Sequence, residues 1–250
     1  DYASFKQTFN DVFEMRPEEL QLGFLKLLRG TGLRIQAKEY GYVFVDQAPY
    51  EIFSNNVLSF DDMLRIKQAE DVLEKYWNAH RLDRTVEYLV TTTFETPFDF
   101  FQDFGSYWEN KGWSRIGHQL EDLFKRLEEF LLYDGRAHMA TVRSLMKLDY
   151  LSHQKFQPRK PWWEKEMARE EQSMIYKKII ENPLIAGQQF AQLSLHEREV
   201  HKQTSLVPFS LDLSALEQEN TLQAKDGYLL TYYKPGQTPQ FSFIQKEQIS

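Results

Sequence analysis

Ser59-Phe-Asp-Asp-Met-Leu-Arg-Ile-Lys-Gln-Ala-Glu-Asp-Val-Leu-Glu-Lys-Tyr-Trp-Asn-Ala-His80 reads as a long helix with one buried face. Ser59 and Asp62 have capping-box spacing, in which each side chain satisfies the other's backbone N–H. Met63, Ile66, Ala69, Leu73, Tyr76, Trp77 and His80 then fall within an arc of roughly 140° at 100° per residue. Such a stripe must pack against other helices, and the sequence on its C-terminal side supplies them. A second helix is expected from Asp83 to about Phe94, and Pro97 suits the first turn of a third. That third helix, Phe98–Lys111, carries Phe98, Phe100, Phe101, Phe104, Tyr107 and Trp108 around most of its circumference, so it requires cover on several sides.

Farther along, Ile116, Leu120, Leu123, Phe124, Leu127, Phe130 and Leu131 define a one-sided helix over Arg115–Tyr133. Asp134-Gly135 marks a turn. The next segment, Arg136–His153, is apolar nearly all round and belongs at the centre of a bundle. Lys155–Trp163, with two prolines, is a connector to a polar helix over Glu164–Glu181, and Pro183 opens one more helix to about Leu195. Near Ser194 the period changes. Val207, Phe209, Leu211 and Leu213 alternate with Pro208, Ser210 and Asp212, while Tyr228–Tyr233 and Gln240–Ile244 read as strands joined across Lys234–Pro239. Pro208 cannot donate to a ladder, so it must lie on an edge or at a bulge.

On the N-terminal side, Phe5, Phe9, Val12 and Phe13 predict a short helix that Pro17 separates from the run Glu19–Leu33. Leu20, Leu22 and Phe24 alternate there with Gly23, Leu25 and Leu27, as in a strand buried on both faces of a parallel sheet, before the chain reaches Gly30-Thr-Gly32. Nothing nearby supplies parallel neighbours. A short helix, the strand Tyr42–Val45 and a loop holding Ala48-Pro-Tyr-Glu-Ile52 follow. The expected fold is therefore mainly α: a multi-helix bundle with a short N-terminal strand and a small C-terminal antiparallel β-sheet. The expected organisation is residues 1–33 as the last helix and strand of a preceding domain, 34–195 as the bundle and 196–250 as a β appendage. With Asp1 in place of Met, the chain is expected to be the C-terminal region of a longer protein.

Of 250 residues, 42% are hydrophobic and 15% aromatic, enough for an ordinary core packed by large flat side chains. No run approaches the roughly 20 apolar residues of a membrane span, and no secretory leader pattern is present, which makes the cytoplasm the expected location. The formal charge of −7 argues against a general nucleic-acid binder. There is no cysteine, which excludes disulfides, thiolate zinc sites, cysteine nucleophiles and cysteine-held iron–sulfur clusters within the chain.

No nucleophile elbow, nucleotide loop or helical zinc motif occurs, so no catalytic residue and no metal ligand is assigned. His196-Glu-Arg-Glu-Val-His201 has a separation of five where the zinc-protease helix has four, and beside strands its rings would face apart. His118 and Asp122 fit a solvated helix face. Asp149, on the all-apolar helix, is desolvated and needs a partner. It is either a structural partner for a neighbouring helix or a pocket carboxylate with Tyr150 beside it. Tyr50 and Glu51 sit in a proline-containing loop that either contacts ligand or packs and caps. Gly30 and Thr31 could present backbone N–H groups to an anion. Lys155, Arg159, Lys160, Trp162, Trp163, Lys165 and Arg169 mix charge with aromatics as single-strand binders do. Glu164, Glu166, Glu170 and Glu171 interrupt them, which favours a connector anchored by two tryptophans. An RNA-binding reading of this stretch predicts that charge reversal at Arg159 and Lys160 weakens binding and its salt slope.

Leu20-Gln-Leu-Gly-Phe-Leu-Lys-Leu-Leu-Arg-Gly-Thr31, Tyr40-Gly-Tyr42, Ala48–Ile52, Leu58-Ser-Phe-Asp-Asp62 and Glu74-Lys-Tyr-Trp-Asn78, continued by Lys147–Tyr150 and Pro161–Trp163, carry a resemblance. In this order they resemble the uncharacterised C-terminal domain of bacterial cobalamin-binding-domain-containing radical SAM proteins. The resemblance implies a cobalamin-binding domain and a radical SAM barrel earlier in the same polypeptide, with Leu20–Leu27 as the barrel's last strand. It implies a parent enzyme that uses a 4Fe-4S cluster, S-adenosylmethionine and cobalamin. That cluster needs three thiolates from a Cys-x3-Cys-x2-Cys loop, which this chain does not contain. The expected role is an accessory module that covers the barrel and helps to select an unidentified substrate, with a helical protein-interaction module as the alternative. Gly30, Thr31, Tyr50 and Glu51 would follow the last strand on the side where ligands bind, with Asp149 and Tyr150 as further pocket candidates. In isolation the Leu20 strand is expected to be mispaired, edge-paired within the small sheet or poorly ordered.

Overall fold

Ser59 starts its helix by reciprocal capping: Asp62 N–H donates to Ser59 Oγ at 3.1 Å, and Ser59 N–H donates to Asp62 Oδ2 at 3.0 Å. In the computed structural model, which describes residues 1–234 and 236–249, the elements before it are α1 (Tyr2–Glu14), α2 (Gly32–Ile35), β1 (Val43–Phe44) and β2 (Ile52–Ser54). The capped helix is α3 (Phe60–Leu73), prolonged by one wide turn, Glu74–Asn78, that buries Tyr76 and Trp77. Then come α4 (Asp83–Tyr88), with a wide turn over Leu89–Thr93, and α5 (Pro97–Asn110). These elements form a compact unit, residues 1–118; residues 119–250 form a second.

The first unit is held by aromatic packing on α5, where Phe98, Phe100, Phe101, Phe104 and Trp108 are all buried. Pro97 occupies the first turn, and Thr96 Oγ1 accepts from Asp99 N–H at 3.3 Å. Tyr76 meets Phe104 at 4.8 Å and Trp108 at 5.9 Å, both edge to face, the preferred geometry for ring quadrupoles. Helices α3 and α5 approach closely because residue 105 has no side chain. A Cβ there would lie 2.3 Å from Gln68 O and 2.9 Å from Ala69 N, both backbone atoms. Gly105→Ala is therefore expected to destabilise by about 1–3 kcal/mol through overpacking, although alanine favours a helix interior. Urea unfolding checks this, and an unchanged midpoint would place α3 farther from α5 than the structure has it.

Leu20–Leu28 departs from the expected two-faced strand. Leu27 is fully buried, but Leu25 and Leu28 are exposed. The segment makes one antiparallel bridge, Lys26 to Glu51, in which Leu27 N–H donates to Tyr50 O at 2.8 Å and Ile52 N–H donates to Leu25 O at 3.2 Å. The pairing stops there because β2 is three residues long and its other edge is taken by β1. Farther back, the Asn78 amide stands in for a strand, accepting from Leu20 N–H at 2.9 Å and donating to Leu20 O at 3.1 Å. Edge pairing therefore occurs, but on β2 and not within the C-terminal sheet.

The second unit begins with α6 (Leu120–Asp134) and α7 (Met139–Ser152). Helix α6 starts five residues later than its periodicity predicts. Asp122 Oδ2 accepts from Gln119 N–H at 3.0 Å and fixes the start there. Ile116 is left extended and exposed outside the helix, and His118 precedes it, its ring 4.7 Å from Trp108. Helix α7 is buried on all sides, as expected of a central helix, with Val142, Ser144, Leu145, Met146, Lys147, Leu148, Asp149, Tyr150 and Leu151 all inside. Helix α8 (Arg169–Glu181) starts later than expected. A 3-10 turn over Pro183–Ala186 and α9 (Gln188–Gln192) replace the single expected helix, because Gly187 sits between them at φ +91°, outside helical geometry.

Helix α10 (Glu197–Gln203) corrects the strand expectation around His196 and His201. Five positions on a helix separate the two rings by roughly 140°, and His201 lies on Tyr176, 4.9 Å between ring centres. The sheet is β3 (Thr204–Leu211), β4 (Ala224–Tyr232) and β5 (Gln240–Gln245), antiparallel in that order, with α11 (Leu213–Gln218) between the first two. Leu213 belongs to that helix, not to the strand. Pro208 lies on the edge strand β3, as its missing N–H demands. In the β4–β5 loop, Pro235 falls outside the described residues. One sheet face carries Leu206, Tyr228, Leu230 and Ile244 against Met167, Ile175, Ile179, Phe190 and Val200. Among the described residues, no helix is long and apolar enough to cross a membrane.

Candidate functional site

Four of the residues singled out from sequence lie in the first unit, and two of them, Thr31 and Tyr50, contact Arg34. Gly30 takes φ +82° at the end of the extended run, and Thr31 Oγ1 donates to Leu28 O at 2.8 Å. Tyr50, at φ +60° after the cis Ala48–Pro49 bond, receives the Arg34 guanidinium 5.1 Å from its ring centre and that of Arg29 at 5.7 Å. Arg34 also donates to Leu27 O at 2.7 Å and pairs with Asp46. Glu51 pairs with Lys67, whose ammonium lies 5.2 Å from the Phe24 ring centre. Each charge here is spent on a neighbour in the chain, so the arrangement clasps Leu27, Asp46 and Tyr50 together. These contacts are internal to the turn and the residues beside it.

Asp149 and Tyr150 lie in the second unit. Asp149 is only 2% exposed and is engaged by a neighbouring group, as burial of a carboxylate requires. Tyr150 Oη donates to Glu121 Oε1 at 2.8 Å. Burial, and then the Glu121 carboxylate, push its phenol well above the usual tyrosine range. Its ring also meets Phe124 at 5.4 Å and Trp163 at 5.5 Å, both edge to face. Trp162 stacks on Phe124 at 5.7 Å and is buried. The two tryptophans therefore anchor the connector to α6 and α7.

That anchoring shapes a feature that the sequence did not announce. Residues 157–167 and Gln172 form one wall of a cleft of about 460 Å³, and Ser205, Leu206, Val207 and Pro208 of β3 form the other. The volume falls within the range of ligand sites. Trp163, Met167, Pro158 and Pro161 make much of its apolar lining; Lys160, Lys165, Glu166, Gln157 and Gln172 supply polar groups. Lys147, 3% exposed, lies behind the wall. Its ammonium pairs with Glu166 and donates to Pro208 O at 3.1 Å, tying connector to strand. Burial lowers the Lys147 pKa below the ordinary lysine value even though Glu166 opposes the shift. The sequence signal for this link is a lysine on a helix that is apolar nearly all round.

No curated protein matches the chain. The profile of a family described as "Protein of unknown function (DUF4080)" matches residues 38–231, more than half of the sequence. The match takes in Asp46, Tyr50 and Glu51 but begins after Leu27–Arg34; it also covers the central helix α7 and the cleft with most of its sheet, and the chain belongs to that family.

Proposed function

We propose that this chain is the C-terminal accessory module of a cobalamin-dependent radical SAM enzyme, covering the catalytic barrel of its parent and contributing to substrate selection. The ordered motifs from Leu20 to Asn78 support the link to such parents, and membership of a family of unknown function leaves it open. The parent would carry the 4Fe-4S cluster, S-adenosylmethionine and cobalamin. The residues present here do not fit a cluster, because the chain has no thiolate donor. No catalytic step is therefore assigned to it.

The observation that carries the reading is the exposed apolar surface in and beside the extended run. Leu25, Leu28, Phe53 and Phe60 are exposed, and Phe53 and Phe60 meet edge to face at 6.0 Å. Exposed apolar side chains grouped in this way mark interaction surfaces, and the extended Leu20–Leu27 segment would serve as the barrel's last strand. The alternative is a helical interaction module in which a separate protein covers the same side chains. Anaerobic reconstitution of the full-length parent distinguishes the two. The expected result is bound iron and cobalamin, cleavage of S-adenosylmethionine, and protection of residues 20–28 and 52–60 from hydrogen exchange relative to the isolated chain. A parent without a Cys-x3-Cys-x2-Cys loop removes the enzyme assignment. A reconstituted parent in which those residues exchange as fast as in the isolated chain removes the covering role.

A further inference from the structure

The outer edge of β3 is covered on both sides of one residue, Leu206. Tyr233 N–H donates to Gln203 O at 2.7 Å, so with the observed register Gln203, Ser205, Val207 and Phe209 aim their backbone groups at β4, while Thr204, Leu206 and Pro208 aim theirs outward. Of the outward groups, Thr204 N–H donates to Val200 O, and Thr204 O accepts from Tyr176 Oη at 3.5 Å. Pro208 O accepts from Lys147 Nζ, and past the β4 bulge Ser210 N–H donates to Ser144 Oγ at 3.1 Å. Leu206 lies between these covers. Among the described residues its N–H and C=O have no partner, and Leu206 lines the cleft. A donor and an acceptor of one strand residue, side by side and otherwise buried, are costly to leave unpaired.

We propose that the cleft binds an extended acidic peptide from another protein, which pairs with Leu206 as a short added strand. An antiparallel residue opposite Leu206 exchanges both hydrogen bonds with it. Lys147 at Pro208 and Tyr176 at Thr204 block further pairing in either direction, so the recognised stretch is short. Specificity then comes from the facing wall. Lys160 and Lys165 have no carboxylate partner among the described residues, whereas Glu166 is held by Lys147. The wall is therefore net positive and suits a glutamate or aspartate side chain of the peptide, while Trp163 and Met167 meet its apolar neighbours.

The test uses the chain as it stands and a pool of acetylated, amidated pentapeptides rich in valine and threonine with one glutamate at each position in turn, read by fluorescence anisotropy. The best binder is then N-methylated at one residue at a time. The expected result is a loss of about tenfold or more at the one position that lies opposite Leu206 and little change at the others, since a lost hydrogen bond in a dry site is worth about that factor. Lys160→Glu with Lys165→Glu, both on the cleft rim and away from the core, is expected to weaken binding by roughly tenfold, more at low salt than at high. Absence of binding across the pool overturns the proposal, as does binding indifferent to N-methylation. Displacement by succinate at equal concentration points to a small-anion site and overturns it too. So does sedimentation showing a dimer that the double charge reversal dissolves, because the occupant is then a second copy.

Discussion

Lys147→Ala is expected to lower the unfolding free energy by about 3 kcal/mol, the low end of the cost of breaking a buried ion pair. The low end applies because Glu166 is one-third exposed and can turn to water, while Lys147 itself is 4% exposed in its side chain. What cannot recover is Pro208 O, which loses its donor, and the space left by the aliphatic stem on a helix buried all round. Lys147→Met keeps the stem and removes the charge, so it is expected to lose less than half as much, since replacing a buried charge by an apolar group of similar volume is often tolerated. The pH dependence separates the charge from the packing. Burial lowers the pKa of Lys147 in the folded chain below the ordinary 10.5, so between the folded value and 10.5 the unfolded chain binds more protons, and stability gains from rising pH. That gain vanishes in Lys147→Met. Tyr150, Tyr176, Tyr228 and Tyr233, all raised above 10.0 by burial first, act with the opposite sign at the alkaline end, so the readout is the difference between the variant and the unaltered chain. Urea midpoints from pH 8 upward supply it. A difference that stays flat would show that the ammonium is solvated and that the connector is held by its tryptophans alone.

The helices were legible where periodicity and caps agreed. Ser59 with Asp62, and Pro97 in the first turn of the aromatic helix, mark ends that appear where the sequence puts them. Periodicity alone overran at Ile116, because the Asp122 cap begins α6 later than the apolar pattern does. The Leu20–Leu28 run carries strand composition, but a long ladder needs a long partner, and among the described residues the run bridges at Glu51 alone, beside the three-residue β2. His196–His201 was misplaced on a strand because the change of period was set a few residues early; the helix persists to Gln203. Of the site residues, Tyr50 and Glu51 lie in the proline-containing turn, where the Tyr50 ring receives two guanidinium groups and Glu51 pairs with Lys67. The cleft was not legible. Its donor and acceptor are backbone groups of Leu206, which no residue type announces, and the positions on either side are covered by Lys147, Ser144 and Tyr176.

Phe101→Ala is expected to cost about 3–5 kcal/mol. Phe101 is fully buried and lies where α5 receives the N-terminal helix, with ring centres 5.9 Å from Phe9, 5.6 Å from Phe13 and 5.0 Å from Phe100. Truncation removes the transfer free energy of a whole ring and leaves a cavity that rigid aromatic neighbours fill poorly. It also removes edge-to-face contacts worth about 0.5–1.5 kcal/mol per pair beyond area burial. Phe13 then loses one of the three rings on it and keeps Phe9 at 5.9 Å, on its own helix, and Trp77 at 4.5 Å, so α1 is expected to loosen before α3 and α5 separate. Phe101→Leu, which refills most of the volume without the quadrupole, is expected to recover at least half of the loss. Hydrogen exchange gives the order of opening: amides of residues 5–14 should exchange faster in Phe101→Ala than those of residues 63–73. If both helices lose protection equally, α1 is not a separate layer held on by Phe101, and the aromatic cluster opens as one unit.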